Sequence, residues 1–238
     1  MDRIYIINTS IPKIGLYTRT STHGNEFELV NSFIDFYSSQ FLKTNKKNNL
    51  MVFIEPRLVT GFPDLVFATY APHAYENWVT KRNDLDSTDL KILTFIMRKQ
   101  NCTSSSIVEE LKFSEKKVLY SIENLLDSGL IQRKKESWIV ERINKIYGIK
   151  KLVTVEAKIG NIKKVTEQSF INTWFASHSY ALISSKPIIN TINQMKAHGV
   201  GLYCQNKGFK KVIEAQRYDL PSSYVSLQFN EWIGRSLQ

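Results

Sequence analysis

Val153-Thr154-Val155-Glu156-Ala157-Lys158-Ile159 alternates apolar and polar residues over a run of strand length. In a strand, successive side chains point to opposite faces. Val153, Val155, Ala157 and Ile159 therefore share one face, and Thr154, Glu156 and Lys158 share the other. The apolar set is expected to pack inward, while a carboxylate and an ammonium project together from the opposite side. A Glu-x-Lys on the wet side of any half-buried strand has the same form, so the meaning of this stretch depends on its surroundings.

Upstream, Gly61-Phe62-Pro63-Asp64-Leu65-Val66-Phe67 places an acid at the opening of an apolar strand over 62–70. Pro63 is tolerated there because a first strand residue need not donate to the ladder. A strand over 50–55 precedes it. Residues 26–42 read as an amphipathic helix, with Leu29, Val30, Phe33, Ile34 and Tyr37 on one face. On the same wheel Glu26 falls within the apolar face, beside Val30, Phe33 and Tyr37, whereas Glu28 lies nearly opposite with Ser32 and Asp35. A carboxylate aimed at a sheet is costly unless it binds something, so Glu26 is preferred as the functional acid. Downstream, a helix over 162–176 carries Gln168 ten residues after Lys158, on one face with Val165, Asn172 and Phe175. A strand at 180–184, a helix over 187–198 and strands at 199–204 and 211–215 complete a mixed α/β sheet.

Residues 86–140 differ in character. Leu90, Leu93, Ile96 and Met97 mark one helix, and Ile107, Val108 and Leu111 a second that starts near Thr103–Ser106. A third runs from an N-cap at Ser114 through Val118, Ile122, Leu125 and Leu126 to Gly129, which suits a left-handed cap. Leu130-Ile131 and Trp138-Ile139-Val140 then form two short strands. Three short helices followed by a hairpin, with Leu-Leu-Asp-Ser-Gly-Leu-Ile at 125–131, resemble the winged-helix family. That resemblance implies DNA contacts from Lys116 and Lys117 on the third helix and from Arg133, Lys134 and Lys135 in the wing. Residues 87–140 hold nine Lys/Arg and seven Asp/Glu, a net of only +2. Contact with another protein is the competing use of the module.

The whole chain of 238 residues carries +10, from 32 Lys+Arg against 22 Asp+Glu. A basic balance favours a polyanionic partner, nucleic acid above all. Cys102 and Cys204 stand alone, without the spacing of a zinc site or a disulfide framework. No apolar run approaches the roughly 20 residues of a membrane helix, and the N-terminus lacks the look of a signal peptide. A cytoplasmic protein without a membrane partner is expected.

In chain order, a helix glutamate, Pro63-Asp64, Glu156-Ala157-Lys158 and a helix-borne Gln168 resemble the PD-(D/E)xK (restriction-endonuclease-like) nuclease superfamily. The likeness covers roughly residues 25–75 and 150–215. It implies a nuclease-like domain of residues 1–85 plus 141–238, a mixed sheet flanked by helices, interrupted by the winged helix at 86–140. It further implies that Asp64, Glu156 and the Ala157 carbonyl hold Mg2+ or Mn2+. Lys158 would orient or help deprotonate the attacking water, and Gln168 would position the water, the metal shell or the DNA. Glu26 would be the first-helix acid, with Glu55 a runner-up that reads more readily as a surface glutamate beside Arg57. Lys163 and Lys164 would lie along the DNA backbone. The expected activity is hydrolysis of DNA phosphodiesters, with a homodimer as one way to reach both strands. The rival expectation is a non-catalytic DNA-binding or regulatory protein on a degenerate nuclease-like scaffold. One departure from the family pattern is spacing: 92 residues separate Asp64 from Glu156.

Overall fold

The computed structural model describes residues 3–20, 23–99 and 102–238. In chain order its elements are β1 (Ile4–Ile7), α1 (Asn25–Thr44), β2 (Asn49–Ile54), β3 (Leu65–Tyr70), α2 (Ser87–Arg98), α3 (Ser104–Leu111), α4 (Glu115–Asp127), β4 (Ile131–Lys134) and β5 (Ser137–Val140). There follow α5 (Ile143–Ile146), β6 (Ile149–Lys158), α6 (Ile162–Asn172), β7 (His178–Ile183), α7 (Ile189–Ala197), β8 (Gly201–Gln205), β9 (Phe209–Ile213) and α8 (Tyr224–Ser236). They divide into two units, Met1–Ala71 with Ile149–Ser222, and Pro72–Gly148 with Ser223–Gln238.

The first unit is built on a seven-stranded sheet in the order β1-β2-β3-β6-β7-β8-β9. Strands β6, β7 and β8 run parallel to one another, while β3 pairs antiparallel with both β2 and β6. Strand alternation sends alternate residues to two cores. Val153, Val155, Leu65, Phe67 and Leu182 pack under Leu29, Phe33, Ile34 and Phe41 of α1. Ala181, Ile183, Leu202 and Cys204 pack on the other face with Val165 of α6 and Met195 of α7. Phe33 is fully buried, with the rings of Tyr203 and Phe209 at 4.9 and 5.2 Å. Replacing such a residue by alanine costs about 3–5 kcal/mol. Gly201 is required by close packing, since a Cβ there would lie 2.3 Å from the Tyr180 ring.

The apolar strand expected from residue 62 joins the ladder only at Leu65, which leaves Pro63 and Asp64 just outside it. The helix expected to reach 176 ends at Asn172.

The second unit holds α2, α3, α4 and the β4–β5 hairpin. Asp86 caps α2, Thr103 caps α3 and Ser114 accepts the Lys117 amide at the start of α4. Gly129, at φ +66°, closes α4, with its amide on Leu126 and that of Leu130 on Leu125. Trp138 of β5 donates its backbone N–H to Cys102.

The second unit extends beyond the 86–140 expected for the winged helix, to include residues 72–85, 141–148 and 223–238. The reason is a buried polar network. Arg82 Nε donates to Glu231 Oε2 at 2.9 Å, and its Nη2 donates to the Ile146 carbonyl at 2.9 Å. Asn230 Oδ1 accepts from the Tyr75 hydroxyl and the Gly148 amide, each at 2.8 Å. Removing one partner of a buried pair such as Arg82–Glu231 leaves an uncompensated charge, so both flanks and the C-terminal helix are tied into this unit.

Candidate functional site

Leu65 on β3 stands opposite Val155 on β6. One step beyond the end of that ladder come Asp64 and Glu156, so the pairing of β3 with β6 closes the 92 residues between them. Opposed residues on neighbouring strands share a face, with Cβ atoms about 4.5–5.5 Å apart.

Asp64 Oδ2 accepts the Ala157 amide at 2.8 Å and lies 4.0 Å from Lys158 Nζ. Lys158 Nζ donates to Glu26 Oε2 at 2.9 Å. A cavity of about 80 Å³ is lined by these groups with Arg19 and Glu55, which are themselves paired. Burial raises the Asp64 carboxyl above its ordinary range, against the pull of the Ala157 amide and then of Lys158. For Lys158 burial opposes the charge, but Glu26, Asp64 and Glu156 outweigh it, so its pKa is raised. It stands in the site as an ammonium.

Glu156 is not on a wet face. It is 2% exposed, and Thr154 beside it 0%, because α6 covers this side of β6. Its Oε1 accepts from Asn172 Nδ2 at 2.7 Å. Its Oε2 is buried and has no hydrogen-bond partner among the described residues, and the same holds for Gln168 Oε1. Both residues line a second cavity of about 80 Å³ with Gly61, Phe62 and Pro63. Burial first, and then the field of Asp64, pushes the Glu156 carboxyl up to about 8. Leaving a buried acceptor unsatisfied costs about 1–3 kcal/mol.

The structure therefore gathers Asp64, Lys158 and Glu26 around one cavity and Glu156 with Gln168 around the other, and Asp64 and Glu156 act on each other across the strand pair. Glu26 reaches Lys158 from the rim, its side chain 48% exposed, rather than from the middle of the apolar face. Ala157 meets the site through its amide, which donates to Asp64. Two participants carry no clear signal in the sequence. Arg19 lies in a segment without periodicity. Asn172 falls on the sheet-facing side of its helix, but periodicity does not match it to Glu156. Lys163 and Lys164 sit exposed in the first turn of α6, Lys163 4.0 Å from Glu167. Among the described residues, no three His, Cys, Asp or Glu side chains form a group that could hold a metal ion.

In the second unit Lys116 and Lys117 are exposed at the start of α4, Lys117 lying over the Phe113 ring. Arg133, Lys134 and Lys135 are exposed at the β4–β5 turn, where Arg133 Nε donates to the Lys135 carbonyl at 3.0 Å. Residues 85–132 match the family model described as Winged helix-turn-helix DNA-binding. This segment is a winged helix-turn-helix domain. Its third helix presents Leu119 and Tyr120, 59% and 64% exposed, beside the two lysines. The winged helix thus offers a mixed apolar and basic surface. No curated protein and no solved structure matches the chain. Among the described residues, no helix is long and apolar enough to cross a membrane.

Proposed function

We propose that the chain is a divalent-metal-dependent endodeoxyribonuclease of the PD-(D/E)xK kind, whose winged helix assists in gripping DNA. The observation that carries this reading is Glu156, a buried carboxylate with one oxygen unpartnered among the described residues, set beside Asp64 at the start of the paired strand. A carboxylate in that position is stable as an anion only with a cation for company.

The donor set fits a hard ion. Asp64 and Glu156 offer carboxylate oxygens and Gln168 an amide oxygen, and Mg2+ commonly takes one or two carboxylates and keeps several waters. When bound, such an ion supplies charge neutralisation at a phosphate and acidifies a water. The chain's own residues do the rest. Lys158, held protonated by Glu26 and Asp64, donates hydrogen bonds, orients the attacking water and offsets phosphate charge. Asn172 fixes one Glu156 oxygen and leaves the other to face the cavity. Gln168 presents its amide to the same space and can orient a water there.

DNA cleavage by the purified protein with Mg2+ or Mn2+ tests the proposal, beside an EDTA control and the Glu156→Ala and Lys158→Ala variants. Metal-dependent cutting is expected, with each variant slower by about 10²–10⁴-fold. A second reading, a DNA-binding scaffold without catalysis, is favoured by the lack of a third acidic or histidine ligand among the described residues. DNA binding with no cutting on plasmid, branched and single-stranded substrates would assign it.

A further inference from the structure

We infer that the first unit carries a second ligand site, a pocket for a nucleotide, at the end of β6 remote from Glu156. Lys151 and Glu156 are five residues apart on this strand, roughly 16 Å at the strand rise, so the two sites are distinct.

The pocket has a volume of about 450 Å³, within the roughly 300–1,000 Å³ of small-molecule sites. Two kinds of group line it. Phe36 and Tyr37 of α1 and Tyr203 of β8 supply aromatic surface, while Lys150, Lys151 and Lys211 supply positive charge. Among the described residues that line it there is no carboxylate. The amides of Gln40 and Asn48 add donors and acceptors of the kind that meet a base edge. Lys150 and Lys151 also line a neighbouring cavity with His178 and Arg217, where Asp219 is the acid.

These cations crowd one another. Burial lowers the Lys151 ammonium below its ordinary range; Glu214 works against this, and Lys211 and Arg217 add to it. Burial, and then Lys151, pushes the His178 imidazole down to about 4. Glu214 itself is already paired with Lys211 and the Tyr180 hydroxyl. An anion at Lys151 and Lys211 would relieve this repulsion, and aromatic surface beside it selects an anion that carries a flat ring. A base joined to a phosphate has both parts. It can be a free nucleotide or the phosphorylated end of a strand.

The test is calorimetric titration of the full chain, in EDTA, with the four 5′-deoxynucleoside monophosphates, their nucleosides and inorganic phosphate. At least one monophosphate is expected to bind about tenfold more tightly than its nucleoside or phosphate alone. Lys211→Ala, at an exposed position, and Lys151→Met should each weaken it about tenfold, and Lys211→Arg should keep it. Folding of each variant is checked by circular dichroism, and Lys211→Ala decides if Lys151→Met fails to fold. Absence of binding by any monophosphate overturns the proposal. So does equal binding of inorganic phosphate, or unchanged binding by folded Lys211→Ala. A 5′-phosphorylated oligonucleotide that displaces the monophosphate identifies a strand end; one that cannot identifies a free nucleotide. Because EDTA silences metal-dependent cleavage, this result is independent of the nuclease proposal.

Discussion

At the Asp64–Glu156 end of β6, burial raises carboxyl groups and leaves one oxygen of Glu156 without a donor. At the other end, burial lowers the Lys151 ammonium while Lys211 and Arg217 add to the crowding. The same physics acts at both ends with opposite sign. Desolvation disfavours whichever charge a group carries, and it outweighs Lys158 at Glu156 and Glu214 at Lys151. The two proposed ligands follow that sign: a cation where carboxyl groups are held up, an anion where the Lys151 ammonium is held down.

The largest effect beyond cleavage itself is expected from Glu156→Gln in the metal-free protein. The folded chain keeps a proton on Glu156 up to about 8, whereas the unfolded chain releases it near the ordinary 4.5. Above 4.5 the folded state therefore binds the extra proton, and stability falls as pH rises across that window. Glutamine removes this slope, so the variant should gain on the order of a few kcal/mol over the wild type at the upper end. Thermal melts in EDTA near pH 5 and near pH 8 read the difference directly. Adding Mg2+ at the higher pH should raise the wild type more than the variant. Parallel pH profiles for the two proteins would break the comparison at its carboxylate end.

Lys151→Met probes the other end, where a smaller effect of mirrored slope is expected. Its folded-state pKa is lowered from the ordinary 10.5, so the unfolded chain binds the extra proton below that value. The penalty is full below the lowered pKa and disappears as pH approaches 10.5. The methionine variant should therefore be more stable than the wild type near neutrality, with the gain fading in alkaline buffer. A loss of stability at neutral pH would mean that the lysine already has the counter-charge it needs.

Much of this is legible in the sequence, for reasons that also explain what is not. The alternation in 153–159 and the period of 26–42 are set by a single buried face, and Val155, Phe33 and their neighbours pack as those patterns require. The Gln168 face is readable by the same logic. Alternation does not reveal what covers the second face of a strand. Glu156 is expected on a wet side, and only the packing of α6 makes it a buried carboxylate. Long-range pairing is equally hidden: Asp64 meets Glu156 across a whole inserted module, and motif order suggests this without fixing the register. The Arg82–Glu231 pair joins residues 149 apart in the chain, so the second unit's true edges cannot be drawn from local composition. The Lys150–Lys151–Lys211 cluster reads as scattered surface charge because β6 and β9, with two strands between them in the sheet, bring these side chains to one pocket only in three dimensions.

The smallest expected effect contrasts the two units. The first holds 18 Lys/Arg against 10 Asp/Glu, and the second 14 against 12. If backbone charge governs affinity, most of the salt dependence of DNA binding belongs to the first unit even though the recognised DNA-binding fold is in the second. Each phosphate that a lysine no longer neutralises should reduce the slope of log affinity against log salt by about 0.9. Lys163→Ala with Lys164→Ala is therefore expected to flatten that slope at least as much as Lys116→Ala with Lys117→Ala, measured by fluorescence anisotropy on a short duplex. The α4 pair has Glu115 and Glu123 on its own helix to offset its charge, and exposed Leu119 and Tyr120 alongside. A larger reduction from the α4 pair would show that the winged helix grips the duplex on its own. The first unit's excess charge would then be left for the pocket at Lys151 and the carboxylate site.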